Sequence, residues 1–519
     1  MKPRKILVAL GLAGLLGLLL FVVWMFHSRA VARYERQLLA AGEKLRIEDF
    51  VSTPTPPDKN GAPLFMEAMG GWISAAPVLD RNPPAAMRMI APGKAIVGSA
   101  QPDVRGDQTN NSWPEVEEAL APLGDRIEGI REAAERPVFD FHLNYRQGFT
   151  LLLPHLAPLK RAEQLLAAAT LCDLHHGDAA SATTNIEAML KLVKATDKEP
   201  IVISQLVRIA MAQISVPVTW ELLQCPNVTD PQLAAIQGLW TDLRFTQATE
   251  DALAFERAEE QMTLDRMRRS STEFRQVVSM SRGGGGSPSM SFGKSGDALL
   301  REVVLGTQEA EWRWFLSYPD QLRALKGEQV LLEGFRKVQA GHPFCEVMSG
   351  QSARLAELGF FRTNDHADFL FNLSNPDLRS LLSGSVVSLG RVINRVFANE
   401  VAREATLTAI ALKRYHLRHG HYPAALSALV PDFLPAAPRD PADGQPLRYR
   451  LKPDGTYLLY SVGEDGVDDG GDAAPTEESK TPNWEKGRDY VWPWPASAEE
   501  IAAWRQKNGK KGGKGEPTP

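Results

Sequence analysis

The sequence predicts a mainly α-helical chain with a single N-terminal transmembrane helix, a large α-helical body of helical hairpins, and a small α+β C-terminal domain with an antiparallel sheet. Three observations predict it. Residues 6–26 carry no charge. Between 113 and 270, apolar residues recur three and four positions apart, the period of a helix with one buried face. Residues 447–451 and 456–461 alternate as strands do, joined through Pro453, Asp454 and Gly455, a direct hairpin signal.

In chain order these observations divide the sequence into an anchor (1–27), a stalk helix with an irregular segment (28–112), a helical domain (113–280), a Gly/Ser-rich linker (281–297), a second helical segment (298–400), a C-terminal module (401–495) and a basic tail (496–519). A length of 519 residues accommodates several domains. A composition of 44% hydrophobic and 23% charged residues is that of a globular protein. The net charge of -5 is too small to point to nucleic acid or another polyanionic partner.

As a helix, residues 6–26 measure about 31 Å, close to the hydrocarbon thickness of a bilayer. A helix satisfies its own backbone hydrogen bonds, as lipid requires. Trp24 and Phe26 lie at one end, where aromatic side chains favour the interface. The competing reading is a cleaved signal peptide, with Ala30-Val31-Ala32 as its processing site, but the apolar run is longer than a signal peptide needs. Basic residues lie on both sides: Lys2, Arg4 and Lys5 before, and Arg29, Arg33 and Arg36 after. They narrowly favour an N-terminus in the cytoplasm, a single pass through the inner membrane and an extracytoplasmic body. No other stretch reaches 18 uncharged apolar residues, so the rest is expected to be soluble.

A polar-faced helix is expected to continue over 29–50 until the prolines at 54, 56 and 57 stop it. Residues 75–112 read as loop with short ordered pieces. Helices are expected over 115–134 and 158–176. Gly177 suits a left-handed helix end and Asp178 the cap of the next helix. Residues 201–224 read as an apolar helix interrupted at Pro217. Thr229-Asp230-Pro231 opens another, expected to run to about 269.

Several motifs invite chemistry and lack its context. Gly293-Lys294-Ser295 ends like a phosphate-binding loop, but Pro288 stands where that loop needs a glycine. His416, His419 and His421 could share a metal, yet Gly420 separates them, and histidines suit a helix C-terminus. His175-His176 reads likewise as a polar helix end. The cysteines Cys172, Cys225 and Cys345 show no metal or redox spacing. A Cys172–Cys225 bridge stays open beside the simpler reading of semi-buried thiols. The tryptophans from Trp312 onward read as packing or interfacial residues.

The C-terminal module carries several ordered motifs. A helix over 402–417 ends at Tyr415…Gly420-His421-Tyr422-Pro423. Leu434-Pro435 and Asp440-Pro441 follow, then the tyrosine-bearing hairpin, then Ser461-Val462-Gly463-Glu464-Asp465-Gly466. This order resembles the globular end of the major pseudopilin of type II secretion systems, and modules of uncharacterised bacterial membrane proteins. The resemblance spans roughly 400–495 and implies a loop that binds one calcium ion. Asp465 matches the first acidic residue of that loop and Asp489 the later one that closes it. Asp468, Asp469 and Asp472 are additional candidate ligands. Carboxylates and curled glycine backbone are what calcium takes, whereas a solvated acidic turn would need no ion. The N-terminus departs from the family: it lacks the pseudopilin cleavage motif, and a long body separates anchor from module.

The expected function is that of a membrane-anchored envelope protein of structural or interaction type. The alternatives are an extracytoplasmic hydrolase, with a site formed around His142, His155 or His175, and a tetratricopeptide-like adaptor built on the 158–193 hairpin.

Overall fold

The computed structural model describes residues 3–51, 54–70, 89–91, 94–95, 103–105, 110–281, 306–360, 376–453, 455–472 and 488–492. Helices dominate, with a three-stranded antiparallel sheet near the C-terminus. Gly293-Lys294-Ser295 and the basic tail lie outside the described residues.

Helix α1 runs without a break over Pro3–Ala40, so the apolar run and the polar helix after it form one rod. It stops ten residues short of the expected end. Gly42 takes a left-handed φ of 85°, and the Glu43 amide turns back to the Leu38 carbonyl at 3.0 Å. This is the closure that ends helices at glycine. A 3-10 turn, Ile47–Phe50, and helix α2, Ala62–Met69, follow. Two short hairpins, β1–β2 (Met89–Ala91, Lys94–Ala95) and β3–β4 (Asp103–Arg105, Asn110–Ser112), occur in the segment read as loop. Helices α3 (Trp113–Leu120) and α4 (Gly124–Ala134) share the expected 115–134 region.

The hairpin of α5 (Leu156–His175) and α6 (Ala179–Ala195) forms as its turn residues predict. Gly177 has φ 77°, and the Asp178 carboxylate accepts from the amides of Ala180 and Ser181 at 3.1 and 3.0 Å. Helix α7, Val202–Gln224, is not interrupted at Pro217. It is buried against α5 and α6, and packing on several faces outweighs the one backbone donor that proline removes. Although α7 carries Arg208 and Glu221, it is long and apolar enough to cross a membrane by length and composition. Met211, Ala212, Val218 and Leu222 are fully buried, so α7 is the core helix of the body.

The helix expected from Thr229 to about 269 is two helices, α8 (Asp230–Asp242) and α9 (Phe245–Arg269). Leu243 and Arg244 between them are extended, and Leu243 is buried in the core. Burial of that side chain sets the corner, and no glycine or proline marks it. Helix α10 (Ser271–Ser281) follows. Beyond the residues not described come a π-helical turn, Trp312–Leu316, then α11 (Ser317–Gln339), α12 (Phe344–Glu357) and α13 (Pro376–His419). Helix α13 passes straight through position 400, linking body and module. Strands β5 (Arg448–Leu451), β6 (Tyr457–Ser461) and β7 (Tyr490–Val491) form the sheet in that order, all antiparallel.

One hydrophobic core reaches from Ala62 to Trp492 and includes α5, α6, α7, α11, α13 and the C-terminal sheet. A separate small cluster seats α1 on α11, with Val31, Leu38 and Leu45 around Leu325. The polar counterpart lies just beyond the end of α1. Glu43 is buried, and its carboxylate accepts from Arg257 of α9 at 2.8 Å and from Gln329 of α11 at 3.1 Å. Arg336 of α11 donates to both carboxylate oxygens, at 2.5 and 3.1 Å, and also to Glu250 at 2.6 Å. Arg257 is fully buried. Burial alone would raise the Glu43 carboxyl, but the hydrogen bonds from Arg336, Arg257 and Gln329 outweigh it and hold it at about 2.

Replacing Glu43 by leucine is expected to destabilise the chain by about 3–5 kcal/mol, because it strands the Arg257 guanidinium without its counter-charge. Chemical denaturation measures this, and a loss below about 1 kcal/mol, the usual value of a surface pair, would contradict it.

Candidate functional site

The acidic loop closes one end of the C-terminal sheet. Gly463, Gly466, Gly470 and Gly471 all have positive φ, so the backbone curls repeatedly between β6 and residue 472. At Gly471 a side chain would meet Leu458 at 2.5 Å, so this position is restricted by packing as well as by conformation.

Asp489 is buried and accepts from the amides of Gly471 at 2.7 Å and Asp469 at 3.4 Å, while its own amide donates to the Asp472 carbonyl. Desolvation, with the nearby Asp468 and Asp469, raises its carboxyl above the ordinary range despite those two amides. Asp468 is exposed and accepts from the Tyr460 hydroxyl at 3.0 Å and the Gly470 amide at 2.9 Å, with Arg448 at 3.6 Å. Asp472 pairs with Arg488 at 2.6 Å. Asp465 is exposed and accepts from the Val467 amide at 3.0 Å. The structure thus brings Asp469, Asp472 and Asp489 together through backbone contacts and holds Asp465 and Asp468 at the rim. An all-oxygen donor set suits calcium. Its carboxylates do not converge: the one group of three ligand side chains gathered among the described residues is elsewhere, at Glu117, Cys172 and His176. Calcium would have to take Asp468 from Arg448 and Asp472 from Arg488.

The residue that organises this module is Asp440, which sequence reasoning placed only in a turn. It is fully buried and accepts from the Ser461 hydroxyl at 2.7 Å, the amides of Val462 and Ala442 at 3.0 Å each, and Arg448 at 3.2 Å. It joins the Asp-Pro turn to the start of the acidic loop. The loop also rests on the body: the Cys345 thiol of α12 donates to the carbonyls of Ala442 and Glu464, both at 3.2 Å. Asn394 of α13 donates to the Glu464 carboxylate at 2.8 Å.

A cleft of 450 Å³ lies between body and module, lined by Arg244, His342, Glu400, Arg403, Glu404 and Arg439 among others. Arg403 is held by Glu400 and Glu404, and Arg439 by the Gly444 carbonyl. The histidines weighed for hydrolysis lie elsewhere. His142 is exposed beside Asp140, and His155 is buried against Glu199 at 2.9 Å with Phe141 stacked on its ring. His175 ends α5. His416, His419 and His421 pack against Tyr422 and Tyr415 at the end of α13, as expected of a helix terminus. Cys172 and Cys225 are buried free thiols, so the bridge left open by the sequence does not form.

Comparison with known proteins finds no matching family model, no matching characterised protein and no matching solved structure.

The interior holds a second set of carboxyls, on α9 and α11. Glu259 of α9 is buried, and desolvation together with Glu256 pushes it up to about 8. Glu328 of α11 is raised further by full burial and by Glu260 beside it. A carboxyl whose folded value is raised gives stability in full below the ordinary carboxylate range near 4.3, and loses it as pH rises through the folded value. Glu259→Gln is therefore expected to gain thermal stability relative to the unmodified chain between pH 5 and about 8. A melting difference that stays constant over this interval would contradict the assignment.

Proposed function

We propose that this chain is a single-pass, membrane-anchored envelope protein of structural or interaction type, with residues 6–26 in the bilayer and the helical body outside the cytoplasm. The observation that carries the reading is the single rod of α1, whose apolar first half exposes Leu15, Leu18, Phe21 and Phe26 while its second half is fixed to the body. Leu18 and Phe26 of that rod are 59% and 70% exposed, a poor arrangement in water and a natural one in lipid. The π-helical turn contributes to the same surface. Trp314, 57% exposed, lies 6.4 Å from Trp24, and Phe315 beside it is also exposed. An exposed tryptophan, Trp314, packed beside the half-buried Trp24 suits a membrane interface.

The C-terminal module is the interacting end in this reading. Its turns, hairpin and acidic loop resemble those of a pseudopilin, and calcium would bind by drawing Asp465, Asp468, Asp469, Asp472 and Asp489 together, releasing Asp468 from Arg448 and Asp472 from Arg488. Docking of the module on α12 and α13 argues against a freely swinging head.

Two measurements test the reading. In carbonate-washed membranes the full-length chain is expected to stay in the pellet. A shortened chain in the wash would replace the anchor with a cleaved signal peptide. In calorimetry of the full chain in detergent, calcium is expected to raise the melting temperature and EDTA to reverse the rise, because a ligand of the native state stabilises it. An unchanged melting temperature would reduce the loop to a solvated turn.

A further inference from the structure

The sequence shows no zinc spacing, yet the fold assembles three ligand types at one point. Cys172 and His176 lie four residues apart at the C-terminal end of α5, on one face of consecutive turns. Helix α3 packs against that end and brings Glu117 to it. The Cys172 sulfur is 3.9 Å from His176 Nδ1, and His176 Nε2 is 3.0 Å from the Glu117 carboxylate. One ligand atom from each residue can be chosen so that all lie within 4.8 Å of one another.

We propose that Glu117, Cys172 and His176 form a mononuclear site for a borderline transition-metal ion, zinc above all, with water as the fourth ligand. Thiolate, imidazole and carboxylate together are the donors such ions select, and calcium and magnesium do not take thiolate. The spacing is close to what the ion needs. Zinc bonds of about 2.3 Å to sulfur and about 2.0 Å to nitrogen, at a tetrahedral angle, put the two ligand atoms about 3.5 Å apart. His176 is 55% exposed and has room for that adjustment, while Cys172 is fixed in the helix face. Exposure of His176 and Glu117 leaves the fourth position open to water.

Cys172 is a free thiol, and the metal–sulfur bond forms as its proton leaves to solvent. The site would pin α3 to α5 at the corner where His176 pairs with Glu117.

The test is a Co²⁺ titration of the metal-free full-length chain in detergent, followed by Zn²⁺. The expected result is one equivalent of Co²⁺ bound, a near-ultraviolet thiolate-to-cobalt band, about one proton released per ion, and displacement by Zn²⁺. Cys172→Ser is expected to abolish the band. His176→Ala, at an exposed position that leaves the core intact, is expected to weaken binding, and Glu117→Gln to weaken it while keeping the band. Cys225→Ser and Cys345→Ser are expected to bind as the unmodified chain does. Absence of the band in the unmodified chain, its survival in Cys172→Ser, or unchanged affinity in His176→Ala would each overturn the proposal.

Discussion

The Glu43 carboxylate sits at the corner where the N-terminal rod ends and the body begins, and it takes two guanidinium groups and an amide from two helices of that body. Arg257 and Gln329 also bond to one another at 2.8 Å, and Arg257 reaches the Lys44 carbonyl. A buried ion pair gains little over a well-packed apolar substitute, but it tolerates few alternative geometries, because each misplaced partner leaves a buried charge unmatched. The apolar contacts of Val31, Leu38 and Leu45 hold α1 against α11 without fixing its rotation. The polar clasp adds the register. With both in place, the direction of the apolar half of α1 is set by the body, and Trp24 comes to rest against Trp314 and Tyr318.

The same logic extends to the other end of the chain. Asp440 plays within the module the part that Glu43 plays at the anchor: a fully buried carboxylate whose partners come from separate segments. The module is then joined to the body by α13, which belongs to both, by the Cys345 thiol, and by ring contact between Trp220 of α7 and Trp492 at 5.4 Å. On the far side, Arg414 and Arg418 of α13 grip Asp230 at the start of α8, each at 2.6 Å. Packed cores with polar ties at their corners make the N-terminal rod, the body and the module parts of one unit.

Local chemistry in this chain was legible from the sequence, and tertiary chemistry was not. Gly177 and Asp178 state the α5–α6 turn outright, since only a left-handed residue and a capping oxygen fit there, and Thr229-Asp230-Pro231 states the start of α8 in the same way. The tyrosine-bearing hairpin follows from alternation and a turn sequence. The end of α1 was misplaced because the polar pattern continues past Ala40 and hides the meaning of Gly42. The α8–α9 corner has no turn residue, being set by burial of Leu243. Pro217 overstated a break that packing overrides. Glu43 and Arg257 are 214 residues apart, and nothing local to either announces the pair. Of the acidic loop, the sequence identified the residues but not their partners, Arg448 and Arg488. Cys172 and His176 stand in no metal motif, and Glu117 comes from another helix, so their meeting was not legible either.

Through the Glu43 clasp, α1 and the body move as one. A pulsed spin-label distance measurement tests it most directly, using the full chain in lipid nanodiscs with Cys345 replaced by serine. Labels at Ala32 on α1 and Ser352 on α12, both exposed, report the angle between rod and body. The account predicts a single narrow distance distribution that broadens when Glu43 is replaced by glutamine. A distribution already broad with Glu43 in place, or one whose width the replacement leaves unchanged, would contradict it.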